Sequence, residues 1–244
     1  MRGFLAGGCA AMLLGLSIAA QADMTITQVQ TTQAIKDGKA DGDPKMQTST
    51  LWIAADKVRM DGESESVLLK IAQDSIYLID NKKKTYTGIS QSQIAGASGQ
   101  SQEMPAGMPE AMANMMKMEV TIEPTTETKV INKWNCTKHV QTMKMMGTVT
   151  TSELWATTDI KVDQAIVKKI SSSLLLKVQS MKNLAAQMQK EYAKIKGFVV
   201  YSVSTSSAGG KENRSTMEVR EVKESVAPAG TYEVPAKYKL KPWE

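Results

Sequence analysis

Apolar and polar positions alternate with a period of two through the first third of the chain. Thr25-Ile26-Thr27-Gln28-Val29 alternates, Thr48 to Ile53 ends in Leu51-Trp52-Ile53, and Val67, Leu69 and Ile71 share a face opposite Leu68 and Lys70. Ile76-Tyr77-Leu78-Ile79 is apolar on both faces. Asp80-Asn81-Lys82 breaks it with turn chemistry, and Thr85-Tyr86-Thr87 is placed to return antiparallel to it. Short strands divided by polar turns predict a meander rather than alternating strand and helix units.

The pattern changes twice after that. Residues 90–105 are rich in Ser, Gln, Gly and Ala and predict a flexible loop. Met108-Pro109-Glu110 then opens a short predicted helix, with proline in its first turn, an acid at its positive end, and Met108, Met112 and Met115 on one stripe. Pro124 is expected to end the extended run that follows, and strands resume over Thr128–Ile131, Thr137–Met146 and Val149–Trp155. From Val162 to Ile195 apolar residues recur every three or four positions, predicting an amphipathic helix closed by Gly197. Phe198–Thr205 and Ser215–Glu224 form a predicted hairpin around Ala208-Gly209-Gly210, and the proline-bearing tail from Pro228 to Trp243 is expected to wrap the sheet edge.

The start of the chain reads differently. Arg2 is followed by an uncharged stretch from Gly3 to Ala20, and Ala20-Gln21-Ala22 offers small residues where a signal peptidase reads. Residues 1–22 are therefore expected to be a cleaved leader, with 23–244 as one exported domain, periplasmic or secreted, in a Gram-negative setting. Removal of the leader leaves Cys136 as the sole cysteine, so no internal disulfide can form and stability must come from a core. No repeat with a period of roughly 20–50 residues is present.

Composition then narrows the chemistry. The chain has 244 residues, 42% hydrophobic and 23% charged, which is ordinary globular composition. A formal charge of +5 is spread along it, and Lys82-Lys83-Lys84 is the only run, so a nucleic-acid footprint is not expected. His139 is the only histidine, which excludes a two-histidine metal site within one chain. No nucleophile elbow, phosphate loop or Cys-x-x-Cys occurs, and a non-enzymatic protein without a cofactor is expected.

Methionine is the anomaly. Nine of the 17 sit in two clusters, Met104, Met108, Met112, Met115, Met116 and Met118, then Met143, Met145 and Met146. Thioethers are pliable and fit changing apolar shapes, as a ligand wall or as plain core filling. They are also soft ligands. His139, Met143 and Met145 share strand parity and form a candidate Cu(I) site, with Cys136 on the other face.

The order of several pieces is similar to one family. Leu51-Trp52-Ile53, Arg59, Ile76–Asp80 and Lys84-Thr85-Tyr86, then Thr128–Ile131, Cys136-Thr137-Lys138, Glu153–Thr157, Gly197-Phe198 and Tyr232–Tyr238 resemble the LolA/LolB-like periplasmic lipoprotein carriers. Within that superfamily the chain looks closest to an uncharacterised branch, a domain of unknown function. The resemblance implies an α+β fold, a curved antiparallel half-open β-barrel with helices covering the concave face, and a cavity for acyl chains. Trp52, Leu78, Met108, Met112, Met115 and Trp155 are the cavity candidates. The expected partner is a lipid or a lipoprotein acyl chain, with an envelope protein as the alternative. Where the carriers have Arg-Pro after the first Trp-containing strand, this chain has Ala55-Asp56, so no carrier residue is carried over.

Overall fold

The computed structural model describes residues 23–90, 119–145, 148–162, 190–208 and 211–242. They form β1 (Asp23–Lys36), β2 (Lys39–Ile53), β3 (Lys57–Asp61), β4 (Glu65–Lys70), β5 (Ser75–Asp80) and β6 (Thr85–Ser90). β7 (Glu119–Ile131), β8 (Trp134–Met145), β9 (Thr148–Thr157), β10 (Phe198–Ala208), β11 (Lys211–Ser225) and β12 (Lys239–Leu240) complete the set. All twelve belong to one sheet, in the order β12-β6-β5-β4-β3-β2-β1-β11-β10-β9-β8-β7. Every pairing is antiparallel except β12 beside β6.

The α+β expectation is thereby corrected. The sheet is open, with β12 and β7 at its two ends, and no helix covers a face among the described residues. The helical pieces there are a 3-10 turn at Ile71–Gln73 and one turn at 190–192. The helix expected over Met108–Met118 and most of the one expected over 162–195 lie outside the described residues. Pro124 does not end its strand either. It lies within β7, where the register to β8 breaks between Pro124 and Thr128. An end strand tolerates proline because the missing N–H faces no partner strand.

Parity explains the core. Ile26, Leu51, Ile53, Val58, Val67, Leu69 and Ile76 occupy matching register positions on β1 to β5 and bury one face. Ile131, Trp134, Cys136 and Trp155, from the far end of the sheet, join the same cluster. A second cluster of Ile122, Leu154, Ala156 and Ile195 sits at that end, so consecutive residues 154–156 are buried on both faces.

The far end is folded over. β8 and β11 are three strand spacings apart, about 14 Å in a flat sheet. Yet Asn132, in the two-residue turn between β7 and β8, donates from Nδ2 to the Val219 carbonyl of β11 at 3.0 Å. Room for this exists because β10 pairs with β11 only as far as Tyr201–Glu218, while it follows β9 on to Phe198 past a bulge at Val200. The turn fills the resulting split. Gly197 permits the neighbouring approach: its φ is +102°, and a Cβ there would lie 2.1 Å from the Thr157 carbonyl oxygen.

Both outer strands are protected. The Lys239 and Lys241 N–H groups bond to the Lys84 and Tyr86 carbonyls, laying the tail along β6. At β7, the Glu191 carboxylate accepts the Ile122 N–H at 2.7 Å and Lys194 donates to the Ile122 carbonyl at 3.2 Å. Side chains thus occupy backbone groups that a further strand would otherwise use.

Candidate functional site

Two surfaces of the sheet carry features beyond packing. On the apolar face, partly buried Met24, Met60, Leu78, Met217 and Val222 border the core cluster. Register places them together: Met24 opposes Ile53, Met60 opposes Leu51 and Val67, Leu78 opposes Val67, and Val222 opposes Ile26. This is a rim of pliable side chains around a buried apolar floor.

The opposite face carries a cavity of about 350 Å³. Val58 and Leu69 point into the core, so Lys57 and Lys70, one position on and directly opposed, point the other way. With Asp23, Gln73, Tyr232 and Glu233 they line the cavity. Its roof is the C-terminal tail, held by Arg59. The Arg59 guanidinium donates through Nη1 to the Thr231 and Glu233 carbonyls at 3.1 and 2.9 Å, while its Nε donates to Asp61 at 2.6 Å. Tyr238 donates to Asn81 at 3.4 Å, and Asp23 accepts the Ala227 N–H at 3.3 Å.

Charge inside the cavity is mixed. The Lys57 ammonium lies 6.0 Å from the Tyr232 ring centre and 4.0 Å from Asp56. Lys70 lies 5.9 Å from the Tyr77 ring centre. The Tyr232 hydroxyl oxygen is buried beside the Asp23 carboxylate. Burial first, then the charge of Asp23 and a hydrogen bond to it, and last the charge of Asp56, push its phenol well above the usual range.

The residues singled out from sequence distribute unevenly. Trp155 is buried in the main cluster, and Leu78 lies at its rim. Trp52 opposes Arg59 and Thr25 and faces away from Leu51 and Ile53, on the side of the tail. Met108, Met112 and Met115 lie outside the described residues. His139 is buried at 4% exposure with Nδ1 3.3 Å from the Thr137 carbonyl, and burial lowers its pKa. Met143 is four residues along the same strand, about 13 Å away at the strand rise. The structure does not bring these two together, and the Met145 side chain lies outside the described residues. No group of three His, Cys, Asp or Glu converges on one point among the described residues. The Cys136 thiol donates to the Trp134 carbonyl at 3.4 Å, and burial pushes its pKa up, so it is no ready nucleophile.

Sequence reasoning missed the cavity. Its walls come from the start of β1, the entry to β3, the end of β4 and the tail; Lys70, Arg59 and Tyr232–Tyr238 stand out in the sequence, but nothing there joins them into one site.

Comparison with solved structures gives distant likenesses. PNGF-II in its P21 crystal form superposes with a TM-score of 0.41 at 14% identity, covering 91% of this chain and 32% of that one. Its C2 form gives 0.38 at 15% identity, over 90% and 31%. This chain thus spans about a third of the PNGF-II chain. A DUF1329 family protein from Desulfovibrio piger gives 0.32 at 8% identity, over 90% of this chain and 92% of that one. No curated protein matches. A family profile does match, over residues 26–238, and the chain belongs to that family, the Domain of unknown function (DUF4412).

Proposed function

We propose that this chain is an exported, non-catalytic binding protein that takes a lipid acyl chain against the apolar face of its sheet. The observation that carries the reading is the rim of Met24, Met60, Leu78, Met217 and Val222 around a buried apolar floor. Thioethers and branched aliphatics give displaceable contacts to a flexible hydrocarbon without fixing its conformation. Burying a methylene is worth about 0.8 kcal/mol, so ten carbons supply about 8 kcal/mol before ordering costs. The leader-like residues 1–22 and the resemblance to LolA-like carriers support the exported, lipid-facing part of the reading.

Native mass spectrometry of the gently purified protein, with titration of a fluorescent fatty acid, tests it. A co-purifying lipid and micromolar probe binding are expected, weakened at least tenfold by Leu78→Glu and by Met60→Glu. Probe affinity unchanged in both folded variants would place the ligand elsewhere and end the proposal.

A further inference from the structure

We propose that the β6–β12 end of the sheet docks on an anionic bilayer surface, through lysines from two distant segments that the fold sets side by side. The inference extends the acyl-chain reading, on which it rests for the purpose of docking and not for the surface that docks.

Along the chain there is one lysine run, Lys82-Lys83-Lys84, in the turn between β5 and β6. Lys237, Lys239 and Lys241 are spaced along the tail and form no run. β12 brings the two groups together. Lys239 stands in register with Thr85, and the Lys239 and Lys241 N–H groups bond to the Lys84 and Tyr86 carbonyls. Neighbouring strands run about 5 Å apart, so both groups share one end of the sheet. All six lysines are exposed. Of the six, only Lys83 has an ion-pair partner among the described residues, Asp80 at 3.2 Å. Two more acids lie at this end: Glu65 stands opposite Asp80, and Glu63 is in the turn whose Ser64 carbonyl accepts the Asn81 N–H. Six lysines thus meet three carboxylates, and the surplus is positive.

Two features favour a bilayer over another polyanion. Leu240 is 65% exposed and lies between Lys239 and Lys241, so the charged edge also presents an apolar side chain. Lys239 also shares a face with Thr85, and on that face Thr87 stands opposite Leu78 of the apolar rim. The basic edge therefore borders the surface proposed to hold an acyl chain, where a chain passing to or from a leaflet would cross. Clusters of this size are drawn to anionic lipid, and each lysine near such a surface strengthens binding about fivefold.

Cosedimentation with vesicles tests it, using exported protein freed of its leader. Vesicles of equal parts phosphatidylglycerol and phosphatidylcholine are expected to bind at least tenfold more tightly than phosphatidylcholine alone. The difference should vanish in roughly 1 M salt, where charges are screened within about 3 Å. Lys239→Gln combined with Lys241→Gln should weaken binding at least tenfold. Lys36→Gln combined with Lys39→Gln removes the same charge at the exposed tip of the β1–β2 hairpin and should change it less than twofold. Leu240→Ser should weaken it several-fold. An unchanged Tm in all three variants shows that each is folded. Equal binding to both kinds of vesicle, equal loss from the two lysine pairs, no loss from Leu240→Ser, or tighter binding to a DNA duplex at matched phosphate concentration overturns the assignment. Fatty-acid titration of the same samples keeps the two readings apart: vesicle docking without fatty-acid binding ends the acyl-chain reading alone, and the reverse ends this one.

Discussion

The fold-over at the β7–β8 turn makes Asn132 the residue whose substitution is most informative. Its φ is +54°, in the left-handed region, and its amide reaches the Val219 carbonyl at 3.0 Å beside a fully buried Val219. Asn132→Gly keeps the backbone conformation and removes only the hydrogen bond, which costs about 1–2 kcal/mol for a part-buried carbonyl left unsatisfied. Asn132→Ala removes the same bond and adds about 1 kcal/mol or more of left-handed strain, for a total of about 2–4 kcal/mol. Asn132→Asp keeps size and left-handed tolerance but presents an acceptor to the Val219 carbonyl and a charge to Glu218, whose Oε1 is 3.4 Å from Nδ2. It is expected to be as costly as alanine. Urea denaturation followed by tryptophan fluorescence, with Trp134 beside the turn, measures each value from the midpoint at constant slope. If Asn132→Gly is within about 0.5 kcal/mol of the native chain, below the usual cost of such a lost bond, the turn does not pin the folded end and burial of Ile131 and Trp134 alone holds it.

Gly197→Ala is expected to cost more than about 3 kcal/mol, because positive-φ strain adds to a clash with the Thr157 backbone that no side-chain rotation relieves; a loss below about 1 kcal/mol on urea denaturation would contradict the close approach. The Glu191 carboxyl is held below its ordinary value of 4.5, first by Lys194 and then by the Ile122 N–H. Its folded pKa is depressed, so the stability it contributes is present above that ordinary value and is lost as pH falls through the folded pKa. Glu191→Gln should therefore be less stable at pH 7 and lose less on acidification, read from denaturation midpoints between pH 7 and 3. Arg59→Leu removes the bonds to the Thr231 and Glu233 carbonyls, and limited proteolysis should then cut after residue 228 at least tenfold faster while the sheet core stays intact. Unchanged cleavage would show that β12 pairing holds the tail by itself.

Local pattern was sufficient for much of the sheet. Period-two alternation located the strand around Ile26, short apolar runs located those ending at Leu51-Trp52-Ile53 and spanning Ile76–Ile79, and Gly209-Gly210 marked the hairpin whose flanking residues Ala208 and Lys211 pair. These signals are legible because a strand's side-chain parity and a turn's backbone demands are properties of a few adjacent residues. Pro124 misled for the same reason. Proline argues against a strand only where its N–H is needed, and nothing adjacent to Pro124 says that β7 is an end strand. The paired residues of the cavity were equally invisible, since Lys57 and Lys70 acquire meaning only by standing opposite each other under a tail that begins more than a hundred residues later. His139 and Met143 show the limit of parity from the other side. Shared parity placed them on one face, but parity carries no distance, and four residues of extended strand separate them.

The sequence by itself determined that the described core would be strands carrying apolar residues at sheet-like spacing, and that the usual catalytic motifs are missing, because each follows from residue type and short-range spacing. Only the tertiary structure decided that the sheet stays open and folds its far end back onto β11, that a tail and two side chains guard its outer strands, and that acids and bases from separate segments meet around one buried phenol oxygen. Those outcomes depend on which strands become neighbours, a choice made by the burial of the whole chain at once and written in no single stretch of it.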